Sequence, residues 1–295
     1  MVDGDKLKLG LPKGSLEERA LALFERAGWK IRKESRNYFP QINDPAVSVS
    51  LCRVQEIGDY VARGILDAGI TGLDWLTESG RLEDVARIAD LVFSKNSNRP
   101  CRWVLAVAGD SPYARPEDLA GKRVAAELKG LASRYFASKN IPVELVYSYG
   151  ATEAKIVEGL ADAIIEVTET GATISAHGLK IIDEVMLSYP VLVANREAMG
   201  NPAKKAKADQ IALLLEGALR AERLAALKMN APADRLEQIL EMLPALNSPT
   251  ISQLRDPAWV SLETVVDKDL ARDLIPRLKE AGAQGIFEYY LNKVV

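Results

Sequence analysis

Three turns in this 295-residue sequence carry side chains suited to holding an anion. The run IIEVTETGATISAHG, residues 164–178, opens with the β-formers Ile164, Ile165 and Val167 and breaks into Thr168, Glu169, Thr170, Gly171, Ala172 and Thr173. Glycine permits a left-handed backbone, and the amides and hydroxyls of such a turn offer many donors with little bulk. The cluster reads either as a strand-to-helix connection capped by Thr170 or Thr173, or as a cradle for a phosphate at a helix N-terminus. A second turn, in LGLPKGSLEE, puts Lys13 and Gly14 just before a helix whose start Ser15 and Glu18 mark as a capping box. A lysine there opposes the helix macrodipole unless an anion lies between them, which makes Lys13 a candidate ligand. The third turn, Gly69-Ile70-Thr71-Gly72, is flanked by Asp67 and Asp74. These acids, and Glu127 at the end of RVAAEL, read as caps or solvated carboxylates as readily as ligand contacts. Arg36 and Tyr38 in SRNYFP offer a guanidinium for phosphate and a ring for a base.

The residue inventory excludes other chemistry. Cys52 and Cys101 are the only cysteines and His177 the only histidine, so neither a zinc cluster nor a Ser-His or Cys-His catalytic system can be assembled. A metal would arrive with substrate or on carboxylates. His177 reads as a helix-surface or cap residue, with nothing nearby in sequence to orient it. Neither a P-loop nor a G-x-G-x-x-G after a strand is present. A net charge of −3 with interspersed signs gives no basic stripe for a nucleic-acid backbone. The N-terminal run MVDGDKLKLGLPKGS lacks the apolar core of a signal peptide and no stretch is long enough to span a bilayer, so a cytoplasmic location is expected.

The elements that must position these turns follow an α/β alternation. Leu7, Leu9 and Leu11 alternate with Lys6, Lys8 and Gly10 as a strand, and a helical pattern runs from Leu16 to Ala27. AVSVSLCRV, QEIGDYVARG and ILDAGITGLDWL read as strand, helix, and strand running into another helix. CRWVLAVAG starts a second series, continued by KRVAAEL, PVELVYSY and ADAIIEV, and IIDEVMLSYPVLVAN leads back toward the first. Two chain crossings with a cleft between two lobes are therefore expected. From Lys204 an Ala/Leu-rich helix leads to a strand, helix, strand, strand, helix, strand order, the ferredoxin-like arrangement. The three anion-suited turns all fall where a strand ends and a helix begins, the ligand edge of an open α/β sheet.

Taken in order, LGLPKGSLEE, YVARGILDAGITGLDWL, GATEAKIVEGLADAIIEVTETGATISAHGLKII and NSPTISQLRDPAWVSLETVV resemble the long form of the ATP phosphoribosyltransferase family, along nearly the whole chain. The resemblance implies an α/β fold: a bilobal, periplasmic-binding-protein-like catalytic core plus a C-terminal ferredoxin-like (ACT-like) βαββαβ regulatory domain. It places lobe I at 1–97 and 190–205, lobe II at 98–189 and the regulatory domain at 206–295. It implies transfer of the phosphoribosyl group of phosphoribosyl pyrophosphate to N1 of ATP with Mg²⁺, opening histidine biosynthesis. Lys13, Glu166 and Glu169 would be catalytic, the two glutamates facing the ribose. Substrate would be bound by Gly14, Arg36, Arg53, Thr71, Gly72, Asp74, Glu127, Thr168, Thr170, Gly171, Ala172 and Thr173, the last four taking the 5-phosphate. Histidine would inhibit by binding at Asn230, Thr250, Val265 and Gly285, in a homo-oligomer between dimer and hexamer. Nucleic acid and membrane are not expected partners. The rival expectation is a non-catalytic small-ligand-binding module of the same bilobal fold.

Overall fold

The computed structural model describes residues 6–33, 37–95, 97–244 and 248–295. The described residues form two compact units, one of residues up to Glu25 with Trp29–Ala212, the other of Arg26–Gly28 with Leu213–Val295. The larger unit contains two five-stranded sheets.

The first sheet is built from β1 (Leu7–Lys13), β4 (Val47–Arg53), β5 (Ala68–Gly72), β6 (Val85–Asp90) and β12 (Pro190–Asn195), in the order β4-β1-β5-β12-β6. A two-stranded ribbon of β2 (Ile31–Arg32) and β3 (Gln41–Ile42) precedes β4. Strands β4, β1 and β5 are parallel, and β12 returns antiparallel to both β5 and β6. The alternation of β1 has its expected effect: Leu7, Leu9 and Leu11 are fully buried while Lys8 and Lys13 are exposed. Helices α1 (Glu17–Ala27), α2 (Val54–Ala62) and α3 (Leu73–Ser79) each begin a few residues or less after a parallel strand. At α1 the reach-back comes from Glu17 rather than the expected Glu18, with the Gly14 amide donating to its Oε2 at 3.4 Å.

The second sheet joins β7 (Cys101–Ala108), β8 (Arg123–Ala126), β9 (Glu144–Tyr147), β10 (Ala163–Thr168) and β11 (Leu179–Ser188) in the order β11-β7-β10-β8-β9. Its helices are α4 (Lys129–Ser138), α5 (Ala154–Val157) and α6 (Ala172–Ala176). The chain passes between the sheets through residues 91–100 and again at Tyr189, between β11 and β12. Helix α7 (Pro202–Glu222) then begins against the first sheet, where Lys204 pairs at 2.9 Å with the buried Asp67. Asp67 also accepts from the Lys8 amide at 2.8 Å, so this acid holds the fold together.

The smaller unit carries β13 (Leu224–Pro232), α8 (Leu236–Met242), β14 (Thr250–Gln253), β15 (Trp259–Asp267), α9 (Lys268–Glu280) and β16 (Gln284–Tyr290), with sheet order β14-β15-β13-β16. That is the ferredoxin-like βαββαβ domain expected from the sequence. The domain was expected from residue 206; this unit takes up the chain at Leu213, inside α7. Leu227, Met229, Leu262 and Val266 face the helices as its core. No helix among the described residues is long and apolar enough to cross a membrane.

Candidate functional site

Two cavities open at the strand-to-helix ends of the larger unit. The first, of about 620 Å³, is walled by Lys13, Gly14, Tyr38, Arg53 and Glu56. Parallel pairing sets Lys13 directly beside Arg53 at the ends of β1 and β4, so two cations meet at one edge. The Lys13 ammonium lies 4.1 Å from the centre of the Tyr38 ring. The second cavity, of about 690 Å³, lies between the two sheets and draws walls from both. Gly72, Asp74, Trp75 and Ser15 come from the first sheet's side; Trp103, Glu127, Thr168, Glu169, Thr170 and Thr173 come from the second. Ser15, Val54 and Gln55 line both cavities, so the two are neighbours.

The phosphate-suited turn has a definite internal order. Gly171 adopts φ +84°, the left-handed conformation that glycine permits. Its amide donates to the Thr168 hydroxyl at 2.9 Å, and the Ala172 amide to the Thr170 hydroxyl at 3.3 Å. Thr168 and Thr170 therefore spend their oxygens shaping the turn. The Thr173 hydroxyl has no partner among the described residues and faces the cavity. Glu169 also lines it and accepts from the Ser97 hydroxyl at 3.1 Å. His177 closes α6, its Nδ1 at 2.8 Å from the Thr173 carbonyl, a cap role.

Asp74 sits on the cavity floor, with both carboxylate oxygens engaged. Oδ2 accepts from the Trp103 indole at 2.9 Å and Oδ1 from the Trp75 amide at 2.8 Å, while the Asp74 amide donates to the Ser188 hydroxyl at 3.1 Å. A side chain at Gly72 would put its Cβ 2.1 Å from Asp74 Oδ1, so any substitution there would displace the Asp74 carboxylate. Burial pushes the Asp74 carboxyl up from its ordinary range, against the stabilising indole bond. Burial also raises Glu127, and the charge of Asp74 adds to the shift. The Cys101 thiol beside them is pushed up to about 11, chiefly by burial, which leaves it protonated and unreactive.

Several expected site residues lie elsewhere. Thr71 is completely buried and its hydroxyl donates to the Val54 carbonyl at 2.8 Å, so it anchors α2 and does not reach the cleft. Glu166 does not line the cavity although Val167 and Thr168, the next two residues of β10, do; burial first, then the charges of Glu153 and Glu127, raise its carboxyl. Gly171 and Ala172 shape the turn without lining the cavity. Arg36 lies outside the described residues. In the smaller unit the four expected histidine positions form two pairs. Asn230 Nδ2 comes within 3.9 Å of where a Gly285 Cβ would lie, and Thr250 faces Glu263, two residues from Val265. Register sets Asn230 opposite Ser261, Lys228 opposite Glu263 and Ala226 opposite Val265, so Val265 lies roughly 13 Å and Thr250 roughly 7 Å along the strands from Asn230, with Thr250 two strands across. Sequence reasoning missed Lys95, Gln55, Trp103 and Tyr189 as cavity walls. Of these, Lys95 alone gave a signal, as a cation in a polar run between two strands.

A two-lobed α/β unit with an unpaired threonine hydroxyl on one lobe and paired cations on the other defines a protein that holds small phosphorylated ligands in its cleft. Family comparison makes that class specific: a family model described as ATP phosphoribosyltransferase matches residues 53–217, and the model of its C-terminal domain matches residues 221–293. ATP phosphoribosyltransferase of Nitratidesulfovibrio vulgaris strain DP4 is 63% identical over 289 residues, with 98% of each chain covered. That of Solidesulfovibrio magneticus is 55% identical over 295 residues, covering 100% of both. Among solved structures, the ATP phosphoribosyl transferase (HisG:HisZ) complex from Thermotoga maritima matches with a TM-score of 0.59 at 26% identity, over 71% of this chain and 98% of that one. A protein bound to L-arginine shares the bilobal fold at a TM-score of 0.50 and 11% identity, over 74% of this chain and 87% of its own. The chain belongs to the ATP phosphoribosyltransferase family, in the form that carries a C-terminal domain. Its activity is pentosyl transfer, moving the phosphoribosyl group of phosphoribosyl pyrophosphate to N1 of ATP at the first step of histidine biosynthesis. The rival reading as a non-catalytic binding module is set aside.

Proposed function

We propose that the interlobe cavity receives phosphoribosyl pyrophosphate and the adjoining cavity receives ATP, meeting at the wall of Ser15, Val54 and Gln55. That shared wall is the observation that carries the reading, because in-line displacement needs N1 of adenine brought to C1 of the ribose. The turn from Thr168 to Thr173 holds the 5-phosphate, with the Thr173 hydroxyl donating to it. Glu169, fixed by Ser97, faces the ribose, and its carboxylate stabilises positive charge that grows on the ring as pyrophosphate departs. Adenine N1 already carries a lone pair, so no general base is needed before attack. Lys13 and Arg53 hold phosphate charge at the boundary between the substrates. Asp74, with both oxygens engaged, positions the cleft floor and does not bind substrate directly.

Among the described residues no group of three or more His, Cys, Asp and Glu is placed to hold a metal. The cleft carboxylates Glu127 and Glu169 supply oxygen donors, which fits Mg²⁺ held by one or two carboxylates together with substrate phosphates. When bound, the ion would offset charge on the pyrophosphate. Histidine feedback, assembly between dimer and hexamer, and a cytoplasmic location complete the reading. The relative from Thermotoga maritima is part of a HisG:HisZ complex, which supports assembly as a feature of this architecture. Purified protein mixed with ATP, Mg²⁺ and phosphoribosyl pyrophosphate should show the rising absorbance of phosphoribosyl-ATP. Ribose 5-phosphate should compete against phosphoribosyl pyrophosphate alone. Competition against ATP instead would reverse the two cavity assignments.

A further inference from the structure

The interlobe cavity has a charge deficit that its occupant does not share. Its walls include the acids Asp74, Glu127 and Glu169, yet among the described residues that line it Lys95 is the only cation. Phosphoribosyl pyrophosphate brings several negative charges into that same space. Burial already holds Asp74 and Glu127 above their ordinary range, and the charge of Asp74 adds to the shift of Glu127. Lys95 has no ion-pair partner among the described residues and its side chain is exposed at the cavity wall.

The segment that carries Lys95 is pinned on both sides. Phe93, before it, is buried beneath the Arg19 guanidinium, 5.8 Å from the ring centre. Ser94 is buried, and its amide donates to the Ser97 carbonyl at 2.8 Å while its hydroxyl receives the Ser97 amide at 3.1 Å. The Ser97 hydroxyl in turn donates to Glu169 on the opposite lobe. The Arg19 guanidinium also donates to Asn98, in the same segment. Phe93, Ser94, Ser97 and Asn98 are thus tied down in the first interlobe crossing, and Lys95 stands among them at the wall of the cavity that the Thr168–Thr173 turn also lines.

We propose that Lys95 is a further substrate-binding residue, its ammonium pairing with the diphosphate of phosphoribosyl pyrophosphate. The inference rests on the reading that this cavity takes that substrate. The 5-phosphate already has the Thr168–Thr173 turn, whereas Lys95 lies on the crossing between lobes, where the other end of the substrate must extend toward Lys13 and Arg53. A lysine placed so also pairs with released pyrophosphate, making product inhibition part of the same contact.

Calorimetry on the full-length protein, without magnesium, should separate the two ends of the substrate. With Lys95→Ala, the dissociation constant for inorganic pyrophosphate should rise about tenfold, equivalent to about 1.4 kcal/mol. That for ribose 5-phosphate should stay within twofold, and Lys95→Arg should recover most of the loss. In turnover, KM for phosphoribosyl pyrophosphate should rise while KM for ATP does not. Unchanged pyrophosphate binding, or an equal loss for ribose 5-phosphate, would overturn the assignment. If ribose 5-phosphate fails to bind even the unsubstituted protein, the reading of the phosphate turn fails, while the pyrophosphate comparison still decides Lys95.

Discussion

Three threonines share one six-residue turn, yet the geometry divides their work. Thr168 and Thr170 accept from the amides of Gly171 and Ala172, whereas the Thr173 hydroxyl is left for a ligand. Thr173→Val is therefore the cleaner probe, since Gly171→Val would force a β-branched residue to φ +84° and disturb the turn itself. Loss of one hydrogen bond to a charged phosphate costs roughly 1.5 to 3 kcal/mol, so phosphoribosyl pyrophosphate should bind about 10- to 150-fold more weakly to Thr173→Val. ATP binding should hardly change, and an equal loss for both substrates would remove the turn from the phosphate. Lys13 poses the complementary test. It is exposed and, among the described residues, its side chain touches the Tyr38 ring, a cation–π contact worth about 0.5 to 1 kcal/mol at such a site. Lys13→Ala should accordingly lower turnover at least tenfold while moving the thermal midpoint by only a few degrees, about 2 to 4 °C per kcal/mol for a chain of this size. A large midpoint drop without ligand would make Lys13 structural.

At the scale of elements, the strands and turns were legible because local patterns produce them. The Leu7, Leu9, Leu11 alternation, the glycine between Thr170 and Ala172, and the βαββαβ order each reflect interactions within a few residues. The orientation of side chains was less legible. Val167, Thr168 and Glu169 line the cleft while Glu166 just before them does not, a limit set by where the other lobe lies and absent from the local sequence. Thr71 looked like a turn hydroxyl because glycines flank it, but a central strand buries it on both sides. The Asp74–Trp103 bond spans 29 positions and had no local signature at all. Another such long-range contact supports α4, the helix following Glu127. Its N-cap Leu128 has no capping side chain; instead Glu78 of α3 accepts from the Gly130 amide at 3.0 Å and the Leu131 amide at 2.7 Å. A lost N-cap costs about 1 to 2 kcal/mol, so Glu78→Ala should lower the thermal midpoint by about 2 to 8 °C. Glu78→Gln, which keeps one acceptor oxygen, should lose less. An unchanged midpoint in the alanine variant would mean that solvent caps α4 equally well.

At the scale of the whole molecule, the proposed feedback requires the smaller unit to convert histidine binding into lower turnover. Its sheet buries one face under α8 and α9 and leaves Asn230, Glu263, Val265 and Phe287 on the other, where Phe287 is 54% exposed. Two positions on that open face, Asn230 and Thr250, offer polar side chains, while Val265 and Gly285 offer only backbone groups. Because Val265 lies roughly 13 Å along the strands from Asn230, and Thr250 lies two strands or about 10 Å across the sheet from it, one copy of the domain does not close all four around a molecule the size of histidine. Two copies with their open faces opposed could bring one pair from each together, so histidine binding and assembly should be linked. Couplings of about 1 to 3 kcal/mol, transmitted by a change in lobe or subunit arrangement, would then suffice for inhibition. Thr250→Ala should raise the histidine concentration needed for half-inhibition by about tenfold and leave uninhibited turnover unchanged, since Thr250 lies in a different compact unit from the catalytic cleft. A chain ending near Lys204 should lose the response to histidine altogether. Sedimentation with and without histidine should show the larger assembly, up to the hexamer, favoured by the ligand. If calorimetry on the intact protein detects no histidine binding, the regulatory reading falls, and the catalytic assignment stands on the cleft alone.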